Sequence, residues 1–141
     1  MIKRVFLDSD ILLDVAVARE PFIKQSRIVL ASIEKGVAAG FISPNIVTNV
    51  YYILRKIGSN ERAKKFLRTL LEFISVISVE HATVLRALES NFGDFEDAVQ
   101  HYTALLGQCD YIVTRNTEDY RESEITVLDP AEYIALFLGA E

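Results

Sequence analysis

Short apolar runs alternate with helical periodicity along this chain, and no two of the runs are joined by a hairpin turn. Parallel strands need long crossovers, whereas antiparallel ones close with tight turns, so the pattern indicates a parallel sheet with helices on both faces. Ile2, Val5, Phe6 and Leu7 make residues 2–8 a nearly continuous apolar run, the composition of a buried parallel strand. Gly40-Phe41-Ile42-Ser43 is a second strand, and Ile74 to Val79 a third. Residues 110–114 and 125–128 supply two more.

The intervening stretches read as helices. Residues 10–17 form a short one, and Pro21 opens another at its first turn. Phe22, Val29, Ile33 and Val37 keep near-helical spacing through it, with Gly36 or Gly40 as its end. Helix 44–56 aligns Ile46, Val50 and Leu54, while Asn45, Asn49 and Lys56 fall off that stripe. Helix 60–73 turns Ala63, Phe66, Leu67, Leu70 and Leu71 inward and Arg62, Lys64, Lys65 and Arg68 outward. Helix 80–90 is expected to bury Val84, Leu85 and Leu88. Helix 94–106 is expected to bury Phe95, Ala98, Val99 and Tyr102, and Asp129-Pro130 opens a last helix to about Leu138.

In a parallel sheet the ligand crevice lies beyond the carboxyl ends of the strands. Asp8, Ser43 and Asn116 stand at such ends. Asp10 is two residues beyond Asp8, Asp94 and Asp97 share a helix face, and Asp119 follows Asn116. Several carboxylates with little base nearby suit Mg²⁺ or Mn²⁺, which take hard oxygen ligands and keep water positions open toward a phosphate. Each acid except Asp8 also has a plain structural reading. Asp94 can cap its helix with Asp97 at the third position, Asp10 can cap the first helix, and Asp119 can sit in a turn. A lone carboxylate ending a buried strand is costly, so Asp8 carries the strongest functional case. His101 is expected on a solvent-exposed helix flank, and His81 only flanks a helix. The basic face around Lys56 and Lys64 is a solvated surface or a phosphate-steering patch.

Length and composition narrow the alternatives. The 141 residues fit one domain, 1–141, and half of them are hydrophobic. A net charge of −5 argues against coating duplex DNA but not against an enzyme that meets phosphate through metal ions. Cys109 is the only cysteine, which excludes an internal disulfide, fits a reducing cytoplasm and reads as a buried inert thiol. No apolar run approaches the roughly 18 residues of a membrane span, and the N-terminus has no signal-peptide pattern.

Three segments together resemble the PIN domain family, the nuclease fold of toxin ribonucleases of the VapC kind. Phe6-Leu7-Asp8-Ser9-Asp10-Ile11-Leu12-Leu13-Asp14 is similar to the opening motif, whose usual form is Asp-Thr-Asn followed by apolar residues. Asp94-Phe95-Glu96-Asp97-Ala98-Val99-Gln100 and Val113-Thr114-Arg115-Asn116-Thr117-Glu118-Asp119-Tyr120 resemble the two later motifs. The resemblance implies an α/β/α sandwich around a parallel sheet of four to five strands. It also implies Mg²⁺- or Mn²⁺-dependent cleavage of RNA, frequent homodimers and, in some relatives, a small antitoxin partner.

Carried over by position, the family's first acid falls on Asp8, the third on Asp97 with Asp94 nearby, and the fourth on Asn116 with Asp119 behind it. The usual second acid, a Glu, is replaced by Asn49, which can ligate a metal through oxygen but brings no charge and cannot act as a base. The expected substrate contacts are Ser9, Thr114, Arg115, Lys56 and Lys64. A haloacid-dehalogenase-type phosphatase would use Asp8 and Asp10, but Leu12 replaces its Thr or Val, and helical Arg86–Asn91 stands where a strand should precede Asp94. The alternative from another class is a catalytically silent PIN-like module that binds RNA or protein, a reading that Asn49 supports.

Overall fold

Val5, Phe6 and Leu7 are wholly buried, and β1 (Arg4–Leu7) accordingly occupies the middle of the sheet. The computed structural model describes residues 1–139. Beside β1 lie β2 (Ala39–Ile42) and β4 (Tyr111–Val113), and β3 (Ile74–Val76) and β5 (Thr126–Leu128) form the edges. The order is β3-β2-β1-β4-β5, and every pairing is parallel. Phe6 stands opposite Phe41 on one side and Ile112 on the other.

The crossovers are helical, as a parallel sheet requires. α1 (Ser9–Ala16) and α2 (Ile23–Glu34) lead to β2, and α3 (Pro44–Ile57) and α4 (Asn60–Leu70) lead to β3. α5 (His81–Leu88) and α6 (Phe95–Leu106) cross to β4, and α7 (Pro130–Leu138) ends the fold. α1 touches α2 and α3, α2 touches α7, and α3 touches α4, whereas α5 pairs with α6 apart from them. This gives the expected three layers, with five parallel strands between. Gly40 allows close approach of α2, since a Cβ there would lie 2.8 Å from Ile33 Cγ2.

The chain departs from the sequence expectations where a polar cap or a missing layer intervenes. Asp8 is the N-cap of α1 and Ser43 of α3, so β1 and β2 end one residue early. Ile2, expected in β1, is exposed. α2 begins at Ile23 rather than Pro21, with Phe22 as its N-cap residue and the Phe22 ring against the Arg115 guanidinium. Val37 lies beyond that helix and is exposed, α4 stops before exposed Leu71, and β3 closes at Val76. α5 buries Thr83 and Ala87 against α6, and no further layer covers its other side. Leu85 and Leu88 are therefore exposed rather than buried, and so is Phe95 at the start of α6.

Core and surface apolar positions should separate cleanly by stability. Ile112→Ala empties a fully buried site in β4 and is expected to cost about 3–4 kcal/mol in urea unfolding. Ile2→Ala is expected to change it by less than about 0.5 kcal/mol.

Candidate active site

The end of β1 delivers Asp8 to the edge where strand order reverses between β1 and β4, the place at which parallel sheets open a crevice. The Asp8 backbone N–H donates to the Val113 carbonyl at 3.0 Å, which locks that edge. Its Oδ1 accepts from the Ser9 N–H at 2.8 Å, capping α1. Its Oδ2 accepts from the Thr114 hydroxyl at 3.0 Å and the Tyr120 hydroxyl at 3.4 Å. Thr114 follows β4 and is fully buried.

Asp10 does not cap α1. Its Oδ2 accepts from the Arg115 N–H at 3.0 Å, the Asn116 side-chain amide at 3.2 Å and the Thr114 hydroxyl at 3.3 Å. The single hydroxyl proton of Thr114 can serve only one of the two aspartates at a time. Asp10 Oδ1 is buried and has no hydrogen-bond partner. Asn116 precedes the short 3-10 helix Thr117–Tyr120, in which the Asp119 N–H donates to the Asn116 carbonyl at 3.0 Å.

The remaining acids come from α6. Asp94 is the exposed N-cap, and its Oδ1 accepts from the Asp97 N–H at 2.9 Å. The capping role is therefore real, and the Asp97 carboxyl is left free of it. From α3, the half-buried Asn49 donates to Ser9 Oγ at 3.4 Å, so residue 49 faces the first turn of α1. Ser43 donates to Gln100 Oε1 at 2.6 Å in a buried link between the end of β2 and α6.

Burial and mutual repulsion set the electrostatics. Burial pushes Asp8 up, against hydrogen bonds from Ser9, Thr114 and Tyr120, and the Asp119 charge adds to the rise. Asp10 is pushed up to about 6, by burial first and by Asp8 next. Asp97 is raised to about 7 by burial, then by Asp94, Asp8, Asp119 and Glu96. The Asp97 carboxyl thus feels the charges of Asp94, Asp8 and Asp119, which come from three separate parts of the chain.

Among the described residues, no three His, Cys, Asp or Glu side chains are grouped so that they could hold a metal ion together. Mg²⁺ and Mn²⁺ need only one or two carboxylates and keep several waters. The free oxygen of Asp10 and the protons held on Asp97 near neutral pH both show a negative cluster short of positive charge. The donors are hard oxygens, and the residues present fit such an ion.

Other expected site residues stand elsewhere. Arg115 does not offer its side chain to a substrate, because the guanidinium is bound to Asp14 at 2.7 and 3.1 Å. Lys56 and Lys64 are exposed and make no hydrogen bond or ion pair with the acidic group, and Lys56 stands about 10 Å further along α3 than Asn49. His101 is fully buried rather than on an exposed flank. It accepts from the Glu124 N–H through Nε2 at 2.9 Å, and burial lowers its pKa to about 4. Residues 86–88 lie in α5, so no strand precedes the Asp94 loop, as the phosphatase alternative would need.

Tyr120, Gln100 and Asp14 were not among the expected site residues. Asp14 did carry a signal, since an acid within Ile11-Leu12-Leu13-Asp14-Val15-Ala16 needs a buried partner. Tyr120 had none beyond its place after Asp119.

The PIN domain family model matches residues 4–118, which takes in β1, the α6 acids and the end of β4. The chain belongs to the PIN domain family. It is 26% identical over 136 residues to Ribonuclease VapC1 of Aquifex aeolicus, covering 93% of each chain. A toxin–antitoxin complex from Klebsiella pneumoniae contains a chain of the same fold, with a TM-score of 0.69, 22% identity and coverage of 89% of this chain and 97% of that one. VapC20 of Mycobacterium tuberculosis, a toxin described as cleaving the sarcin–ricin loop, superposes with a TM-score of 0.61 and 14% identity, covering 77% of this chain and 86% of that one.

The raised carboxyls of this PIN domain give a pH-dependent stability. Asp10 and Asp97 bind protons more tightly folded than at their ordinary value of 3.8, so their contribution is complete below about pH 4 and is lost as pH rises through about 6 to 7. Ion-free protein should therefore melt at a lower temperature at pH 7.5 than at pH 5. Asp97→Asn should raise the melting point at pH 7.5 by about 2–4 °C and flatten the profile, as calorimetry would show. Asn49→Glu should tighten Mn²⁺ binding by calorimetry, because residue 49 faces the cluster; an unchanged affinity would remove it from the site.

Proposed function

We propose that this PIN domain is a metal-dependent endoribonuclease that hydrolyses RNA phosphodiester bonds and acts as the toxin of a toxin–antitoxin pair. The observation that carries the proposal is the acidic crevice at the β1–β4 switch point, where the Asp119 charge raises the proton affinity of both Asp8 and Asp97 and the Asp8 charge adds to that of Asp97. Family membership and the homologous Ribonuclease VapC1 support RNA as the substrate. The likeness to the chain in the Klebsiella complex supports an antitoxin partner, and a homodimer in the cytoplasm is the setting that the family resemblance implies.

Asp8 and Asp97 would hold Mg²⁺ or Mn²⁺, with Asp94 and Asn49 at the rim. When bound, the ion supplies a lowered pKa for water and charge stabilisation at the phosphate. The chain's own residues do the positioning. Thr114 and Tyr120 fix the Asp8 carboxylate by donating to its outer oxygen, and Ser9 caps the other. Asn116 holds Asp10 by its amide, and Asp119 faces the cluster from the turn behind it. The hydroxyl of Ser9, half-buried at the first turn of α1, is placed to orient a phosphate.

The test is cleavage of single-stranded RNA with Mn²⁺ or Mg²⁺ by the wild type, Asp8→Asn and Asp97→Asn. Each variant should lose roughly 100-fold or more in rate. Cleavage retained in both would belong to a contaminant. A wild type with neither cleavage nor heat of Mn²⁺ binding would be a silent binding module.

A further inference from the structure

Arg115 occupies an unusual position, because its backbone and its side chain grip two successive turns of the same helix. The backbone N–H donates to Asp10 Oδ2 at 3.0 Å. The guanidinium Nε and Nη2 donate to the two oxygens of Asp14, one turn further along the same face of α1, at 2.7 and 3.1 Å. Asp14 has no solvent exposure and accepts as well from Ser26 Oγ of α2 at 3.0 Å. The Phe22 ring lies 3.8 Å from the guanidinium carbon and covers its face. Arg19 approaches Asp14 only at 3.9 Å with an exposed side chain.

A fork-bound guanidinium paired with a buried carboxylate is held in one geometry and is largely neutralised. It is poorly disposed to take a phosphate, and removing it would strand a buried charge. What it does hold is the 114–119 segment, which carries Thr114 against Asp8, Asn116 against Asp10, and Asp119 facing Asp8 and Asp97.

We propose that Arg115 is a positioning residue: the Asp14–Arg115–Phe22 clip fixes the 114–119 segment to α1, and through it the arrangement of Asp10, Asn116 and Asp119, without touching RNA. The effect on turnover rests on the ribonuclease function proposed above; the effect on the segment does not. A clip acts on geometry, so its loss lowers kcat and leaves KM nearly unchanged, whereas loss of a phosphate contact raises KM.

The experiment combines site-resolved amide hydrogen exchange in the ion-free protein with RNA cleavage kinetics for Arg115→Ala, Arg115→Lys and Asp14→Asn. In Arg115→Ala, exchange should rise at least about tenfold at residues 114–119 and stay unchanged in β2, with kcat falling roughly 10–100-fold and KM within about twofold. Asp14→Asn should show the same local signature, and the double variant should be no worse than the worse single one. Arg115→Lys keeps the charge but loses the fork, so it should restore kcat only in part. It also provides the exchange measurement if Arg115→Ala does not fold. Unchanged exchange at 114–119 in the folded variants overturns the clip, as does a raised KM at unchanged kcat. A wild type that cleaves no RNA overturns the ribonuclease function, while the exchange data still decide the clip.

Discussion

The structure is organised around a cost: carboxylates held in a partly dry crevice, close enough to repel. Burying an ionised carboxyl is unfavourable unless donors or cations compensate. Here the compensation comes from hydrogen bonds. Asp8 and Asp10 share five donors between them, the Thr114 hydroxyl being in reach of both, and all five come from the first turn of α1 or the segment after β4. These donors keep the acids in place but do not remove the penalty, since the proton affinities of Asp8, Asp10 and Asp97 remain raised. A site left in that condition would gain from a divalent cation, because the ion would relieve repulsion that the protein has already absorbed.

That condition depends on the sheet. β1 lies between β2 and β4, so the residues following the three strands open on one edge. Ser43, at the end of β2, is committed to capping α3 and to Gln100 of α6. One helical turn before Gln100, Asp97 is thereby held over the crevice by a buried hydrogen bond on its own helix. On the other side, Thr114 and Arg115 tie β4 to α1. The acids belong to elements remote in sequence, and each is fixed by a neutral or paired polar contact beside it rather than by the acids' interaction with one another.

The architecture was largely legible in the sequence, because parallel strands buried on both faces leave continuous apolar runs and crossover helices leave stripes. β1 and the stripe of Ile46, Val50 and Leu54 illustrate both. Legibility failed at the ends and on the thin side of the fold. Leu85 and Leu88 have the right spacing for a core face, yet burial depends on a further layer that local sequence does not encode. The acids of the crevice were legible as strand-end and helix-start residues. Their partners were less so: the destination of the Arg115 side chain depends on Asp14, a hundred residues earlier in the chain, which no local pattern specifies. His101 misled for the same reason, since its burial comes from Phe92 and the backbone of Glu124.

The neutral residue at position 49 takes on a different meaning beside Asp10. Relatives usually carry Glu on the helix after the second strand and Asn two residues after the first acid; this chain has Asn49 and Asp10, so the negative charge is moved rather than lost. Asn49 donates to Ser9 Oγ, while Asp10 brings its carboxylate to the same first turn of α1. Relative to that pattern, one carboxylate stands on the first turn of α1 instead of on α3. Asp10 Oδ2 is saturated by donors, and Oδ1 is buried without one. The direction of that second oxygen is fixed by how the Arg115 N–H and the Thr114 and Asn116 side chains grip the first. The Asp14–Arg115 contact therefore bears on how the Asp10 carboxylate is aimed, and a change that loosened it would matter more here than in a chain whose charge at that wall came from α3.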